Sequence, residues 1–239
     1  MALITIKSWL PFSRRAGVRG LLTRRPRPES AVYKARVGRP SLADTIKLIV
    51  GLGNPTSRYE KTRHNAGFWF LDGVSGRSQI SLRAESRFQG AFGRDDRGED
   101  PLFLLKPSTF MNRSGASVGA VAAYFKIAPQ EILVAHDELD LPPGVVRLKR
   151  GGGHGGHNGL RDLLAHLKSP DFLRLRLGIG HPGDRLAVAD YVLDAPSKED
   201  LRFIDESMAD ALRELDSLRG GDVAGVMSRL NGIDRRQQK

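Results

Sequence analysis

The chain of 239 residues contains no cysteine. That removes disulfide frameworks, thiolate zinc sites and cysteine nucleophiles together, and it fits a reducing compartment. No apolar run approaches the roughly 20 residues that a membrane span needs. Acids are scarce at one end: residues 1 to 43 hold ten Lys or Arg and the single acid Glu29, a local charge of +9 within a formal net charge of +11. Only +2 is left for residues 44 to 239. Any nucleic-acid surface on the globular part must therefore be a local patch and not a field of the whole molecule.

Residues 1 to 43 also lack a sustained hydrophobic period, and Pro11, Pro26, Pro28 and Pro40 interrupt them. They read as a disordered basic extension. An organellar presequence has this composition, and so does an unstructured tail or a stretch included by an upstream start site. Thr5, Lys7, Ser8 and Pro11 break up the apolar segment that a secretory signal would need. The expected location is the cytoplasm, with an organellar matrix as the alternative if the extension is a presequence. Residues 44 to 232 read as one domain of ordinary size, with a short tail at 233 to 239.

The domain text alternates strand and helix patterns. Ile46 to Leu52 is a short run rich in β-branched residues, hence a central strand, and it ends in Gly51-Leu-Gly-Asn-Pro55. A helix begins at Ala66, with Phe68, Leu71 and Trp69 turned inward. Leu82 to Arg94 and Pro101 to Lys106 read as two strands around a charged loop, and Ala116 to Ile127 as a helix. Ile132 to Glu138 reads as a buried strand ending in polar groups, and Val145 to Lys149 as a further strand. Leu173 to Gly180 alternates leucine with arginine, the period of a strand with one basic face. Ser197 and Asp200 open a long amphipathic helix whose apolar face carries Leu201, Ile204, Met208, Leu212, Leu215 and Leu218. Val223 to Leu230 is a last helix. This order predicts an α/β sandwich: a central mixed, mostly parallel sheet flanked by helices.

Lys149 to Arg161, with five glycines among its first eight residues, is the stretch around which the rest is organised. Glycine lets the backbone lie close to a ligand, His154, His157 and Asn158 supply hydrogen-bonding groups, and Leu160 to Leu167 reads as the next helix. A glycine loop at a helix start gathers N–H groups and favours anions. Three rival motifs are weaker. Gly51-x-Gly53 lacks the third glycine of a dinucleotide fingerprint, Thr56 standing in its place behind Pro55. Gly115-Ala-Ser-Val-Gly119 matches a nucleophile elbow but begins a helix without a strand running into it, so small residues packing a helix closely on a sheet account for it better. His154 and His157 lack the intervening glutamate of a zincin, so no metal and no cofactor are expected.

The remaining polar groups, Asn54, Asn112, Asn158, His64 and Asp137, fall at the carboxyl ends of predicted strands, which in an open α/β sheet face a common crevice. A histidine oriented by a carboxylate can deprotonate water, and asparagine amides can stabilise an oxyanion without adding charge. The set suits hydrolysis of an ester by activated water. Arg147, Lys149, Arg150, Arg174 and Arg176 fall on two predicted strands and are expected to form one basic strip beside the loop, contacting phosphate without reading sequence.

Six blocks in this order resemble the bacterial-type peptidyl-tRNA hydrolases. They are Gly51-Leu-Gly-Asn-Pro55, Tyr59 to Gly67 around Thr62-Arg-His-Asn65, Lys106 to Gly115 around Thr109-Phe-Met-Asn112, His136-Asp-Glu-Leu-Asp-Leu-Pro142, Gly151 to Leu160, and Arg174 to Pro182. The resemblance covers residues 46 to 232. It implies a single α/β domain, usually monomeric, that cleaves the ester between a peptide or N-blocked amino acid and the 3′-terminal adenosine of tRNA, binding the acceptor stem without an obligate protein partner. It implies that His64 is the general base, that Asp137 supports it, and that Asn54 helps to discriminate N-blocked from free aminoacyl ends. It also implies that Tyr59, Phe110, Asn112 and Asn158 contact tRNA or substrate, and that Lys149 and Arg176 clamp the tRNA 5′ phosphate. A non-catalytic RNA-binding protein on the same scaffold is the alternative.

Overall fold

The structure is a computed structural model that describes residues 45–98 and 100–237. The basic extension at 1 to 43 lies outside the described residues. One sheet of seven strands organises the domain: β1 (Leu48–Gly51), β2 (Arg83–Glu85), β3 (Gly90–Asp95), β4 (Leu102–Pro107), β5 (Ile132–Glu138), β6 (Val146–Arg150) and β7 (Leu173–Gly178), in the order β2-β3-β4-β1-β5-β7-β6. β4, β1, β5 and β7 run parallel, whereas β2, β3 and β6 add through antiparallel pairings at the two edges. The sheet is therefore mixed, with a parallel centre.

Alternation along the central strands feeds two cores. Leu48 and Val50 of β1 and Val134 of β5 point to one face, where α2 (Ser114–Phe125) and α3 (Asn158–Leu167) cover them with Val118, Val121, Leu160 and Leu163. Ile49, Leu133 and Leu175 point to the other, under α1 (Ala66–Ser78), α5 (Lys198–Arg213), α6 (Leu215–Arg219) and α7 (Val223–Asn231), with Phe70, Leu71, Ile204 and Val226. A strand buried on both faces must be apolar throughout, and β1 is. No helix among the described residues is long and apolar enough to cross a membrane.

Several boundaries differ from the sequence reading. Leu82 to Arg94 is not one strand: a 3-10 turn at Ser86–Phe88 and Gln89 in the left-handed region, φ 48°, divide β2 from β3. The turn drops Phe88 into an aromatic cluster with Phe92 and Phe125. The long C-terminal helix breaks at Glu214, whose carboxylate pairs with Arg229 of α7, and the bend lets Ile204 and Leu218 reach one core. Ser197 caps α5 by accepting from the Asp200 N–H. Leu201 at the start of that helix stays 39% exposed, lining a groove instead of the core. Trp69 is half-buried, and its indole N–H donates to the Glu60 carbonyl. In the segment expected to be a tail, Arg235 pairs with Asp210 and its N–H donates to the Gly144 carbonyl.

Candidate active site

The parallel strands bring their carboxyl ends to one edge of the sheet. β5 outruns β1 there: Gly51, the last residue of β1, pairs with Ala135, so Asp137 projects beyond it. α1 is drawn tightly onto this edge by two glycines. A Cβ on Gly67 would lie 2.3 Å from the Ala135 carbonyl oxygen, and one on Gly51 would lie 2.3 Å from the Gly67 oxygen. Only with hydrogens there can the 3-10 turn Arg63–Asn65, which leads directly into α1, set His64 against β5. Arg63 anchors the turn from the other side. Its guanidinium donates to the carbonyls of Tyr191 and Asp194 at the C-terminal end of α4 (Val188–Leu193) and lies over the Tyr191 ring, 4.0 Å from its centroid.

His64 and Asp137 meet at this edge, and both are buried. The Nδ1–H of His64 donates to the two carboxylate oxygens of Asp137 at 2.9 and 3.0 Å. A second imidazole completes the group. His157 caps α3, its Nδ1 accepting from the Leu160 N–H at 3.2 Å, so the ring proton sits on Nε2 and is donated to Asp137 at 3.0 Å. Two donors on one buried carboxylate hold it as an anion. Burial alone would raise the pKa of Asp137, but the charge and hydrogen bonds of His64 and His157 keep it well below the ordinary carboxylate range. For His64, burial alone would lower the pKa; the Asp137 charge and hydrogen bond outweigh it, and the pKa lies above the usual 6.5. With Nδ1 committed to Asp137, the neutral ring presents Nε2 as its basic nitrogen.

Asn54 is held on both its side chain and its backbone. Its Oδ1 accepts from the Met111 N–H at 2.9 Å, which fixes the amide flip and leaves Nδ2 for a ligand. Asn65 clasps its backbone from the other side: Oδ1 accepts from the Asn54 N–H at 2.8 Å, and Nδ2 donates to the Asn54 carbonyl at 3.0 Å. Asn65 is a positioning residue to which the sequence reading gave no role, and His157, read there as a hydrogen-bonding group of the glycine loop, positions the Asp137 carboxylate. His157 did carry a signal, standing just before a helical pattern, where a side-chain acceptor caps.

The predicted site residues divide among neighbouring spaces. His64, Asp137 and Asn158 line one cavity of about 510 Å³ with His154, His157, His181 and Arg185. Asn54 and Asn65 line a larger groove of about 840 Å³ that runs towards Phe68, Trp69 and Leu201. The chemistry belongs to the smaller space, because the imidazole–carboxylate pair lies there. Lys149 and Arg176 line a third cavity of about 320 Å³ beneath the glycine loop. Tyr59, Phe110 and Asn112 line none of the three. Tyr59 closes a 3-10 turn whose carbonyl accepts from Thr62, Phe110 is 53% exposed, and Asn112 lies exposed in the turn after β4.

The basic strip is narrower than expected. Arg147 donates to the carbonyls of Val146 and Ile233, reaching the chain just beyond α7, and Arg150 donates to the Gln130 carbonyl and pairs with Asp171. By strand alternation Arg150 shares the face of Leu148, opposite Lys149. Arg174 holds the carbonyls of Gly152 and Gly153 and so braces the glycine loop, whereas Arg176 pairs with Glu138 at 2.9 Å. Nearby carbonyls and carboxylates claim these arginines, a diversion that residue spacing cannot reveal.

The elbow motif is structural. Ser117 is fully buried and its hydroxyl donates to the Phe88 carbonyl at 2.6 Å. Gly115 approaches α3 and not the sheet: a Cβ there would meet the Asp162 oxygen at 2.3 Å. His154 and His157 face different partners, His154 Nδ1 accepting from the Gly156 N–H. His64, Asp137 and His157 do place three possible metal-ligating atoms within 4.8 Å of one another. The hydrogen bonds that already join them account for that clustering.

Comparison with known proteins agrees with this geometry. A family model described as peptidyl-tRNA hydrolase matches residues 48–239. The chain is 57% identical over 186 residues to a peptidyl-tRNA hydrolase of Methylococcus capsulatus, an alignment covering 78% of this chain and 99% of the relative. It is 52% identical over 180 residues to one of Neisseria meningitidis, covering 75% of this chain and 94% of the relative. A crystal structure of peptidyl-tRNA hydrolase from Acinetobacter baumannii superposes with a TM-score of 0.78 at 46% identity, covering 80% of this chain and 97% of the other. With the sheet order, the imidazole–carboxylate edge and these likenesses in agreement, the chain belongs to the peptidyl-tRNA hydrolase family.

Proposed function

We propose that this protein hydrolyses peptidyl-tRNA, cleaving the ester between a peptide, or an N-blocked amino acid, and the 3′-terminal adenosine of tRNA, and so returns tRNA from abandoned translation products. His64 Nε2 takes a proton from a water molecule, whose oxygen attacks the ester carbonyl. The negative charge moves to the carbonyl oxygen, which the Asn54 Nδ2 group receives. On collapse, the ribose oxygen leaves with the proton held by His64. Asp137 stays anionic throughout and stabilises the transient imidazolium.

Asn158 lies beside the base and contacts the peptide. Tyr59, Phe110 and Asn112 extend the surface for the acceptor end, and Lys149 and Arg176 hold phosphate. The protein acts as a monomer where translation releases such products, in the cytoplasm or, if residues 1 to 43 are a presequence, in an organellar matrix. The observation that carries this reading is the Nδ1–H bond of His64 to Asp137, which leaves a basic nitrogen at the edge where the parallel strands end. A single-turnover assay on N-acetyl-aminoacyl-tRNA, with free aminoacyl-tRNA as control, tests it. His64→Ala should cut turnover roughly 10²-fold or more and change tRNA affinity far less. Binding without turnover by the unaltered protein would leave only the non-catalytic alternative.

A further inference from the structure

Among the described residues, three buried side-chain polar atoms have no hydrogen-bond partner, and two of them, His136 Nε2 and Arg174 Nε, belong to residues lining the same cavity of about 320 Å³. Buried polar groups are nearly always satisfied, so a matched pair in one space marks a place built for something else. The pairing follows from register. His136 and Arg176 are partners across β5 and β7, as are Val134 and Arg174, so His136, Arg174 and Arg176 share one face of the sheet. The antiparallel partner of Arg174 on β6 is Lys149, which lines the cavity with Gly153 of the loop, and the carboxylates of Glu138, paired with Arg176, and Asp140 line it as well.

The two orphaned atoms have opposite character. His136 donates from Nδ1 to the Asp137 carbonyl at 2.7 Å, so its Nε2 carries a lone pair and can only accept. Burial, with the charge of His157 adding to it, pushes the pKa of this ring down to about 3, so it is neutral at any working pH. Arg174 Nε–H can only donate. A phosphate monoanion or dianion could satisfy the arginine but has no dependable proton to offer His136. A hydroxyl offers both, its hydrogen to one and its oxygen to the other. Beside it stand Lys149 and Arg176, cations suited to the phosphate that adjoins a sugar in a nucleic-acid chain.

We infer that this cavity is a ribose subsite: a 2′-hydroxyl near the end of the acceptor stem donates to His136 Nε2 and accepts from Arg174 Nε, so that the protein tells RNA from DNA here. The inference rests on the reading that the substrate is a tRNA, and it adds a contact to the sugar beside the phosphate-holding residues. The 2′-hydroxyl is the group through which proteins distinguish the two nucleic acids, because it is donor and acceptor at once.

The test is a scan of acceptor-stem RNA duplexes bearing a 5′ phosphate, with one 2′-deoxy or one 2′-O-methyl nucleotide at each terminal position in turn, titrated against the full chain by fluorescence anisotropy. At one position both changes should weaken binding about tenfold, since each removes the proton that His136 accepts. His136→Phe should bind the all-ribose duplex at that weakened level and be indifferent to the substitution. His136→Asn, which restores an acceptor, should recover part of the discrimination. A scan flat within about twofold on the unaltered protein overturns the inference whatever the variants do. So does a His136→Phe protein that still discriminates. Hydrolysis of N-acetyl-aminoacyl-tRNA, measured alongside, separates the two levels: turnover with a flat scan removes the subsite alone, whereas no turnover removes the function on which it rests.

Discussion

His157 donates its Nε2–H to Asp137 at 3.0 Å because its other ring nitrogen is occupied in capping α3. The helix start therefore selects a tautomer, and the tautomer orients a carboxylate. His157→Asn should keep the cap, asparagine being a good N-cap residue, while losing the bond to Asp137. The expected result is near-normal thermal stability with kcat lowered about tenfold and KM little changed. His157→Ala should lose both and cost about 1 kcal/mol of stability as well. An unchanged kcat in His157→Asn would show that His157 serves the helix alone.

The raised pKa of His64 sets the acid side of the rate profile. The base must be neutral to work, so kcat/KM should rise with pH through an apparent pKa above 6.5. Asp137→Asn removes the carboxylate that outweighs burial, so the midpoint should move to lower pH while the maximal rate falls by roughly 10² or more. Stability runs the other way. A histidine pKa raised by folding contributes stability that is full below the unfolded value of 6.5 and fades as pH climbs through the folded one. Rate and denaturation measured across that window should move in opposite directions.

Asn65 holds the backbone of Asn54 by two hydrogen bonds, both buried. Asn65→Ala leaves that N–H and carbonyl unpartnered and should cost about 1–3 kcal/mol, read from denaturant midpoints at unchanged m. The loosened Asn54 should also blur the preference for N-blocked over free aminoacyl-tRNA. An unchanged preference would remove Asn54 from substrate discrimination.

Lys149 and Arg176 share a cavity but stand in different surroundings. Arg176 is paired with Glu138, whereas the Lys149 ammonium lies against the backbone of Gly152 in the glycine loop. Lys149→Ala should weaken tRNA binding and reduce the slope of log K against log salt by about one. Arg176→Ala should weaken binding more, because it also bares the Glu138 carboxylate towards the RNA. Arg176→Ala combined with Glu138→Gln should recover part of that extra loss in the same titration.

The sequence alone determined the elements and their order. The apolar run of β1, the alternation in β7, the helical period from Leu201 to Leu218 and the glycine-rich run before α3 are local patterns, fixed by burial on both faces, strand pleat, helix pitch and backbone freedom. The placing of Asn54 and Asp137 at the carboxyl ends of β1 and β5 was legible for the same reason, since parallel strands must end on one edge, whereas His64 stands in the turn before α1 and Asn158 at the start of α3. Tertiary structure decided which of these groups touch. The clasp of Asn65 on Asn54, the shared carboxylate of His64 and His157, and the diversion of Arg147 and Arg150 all join residues distant in sequence or on different elements. The meeting of His64 with Asp137 depends on how closely α1 seats on β1 and β5, and that distance is set by two glycines whose missing side chains give no periodic signal.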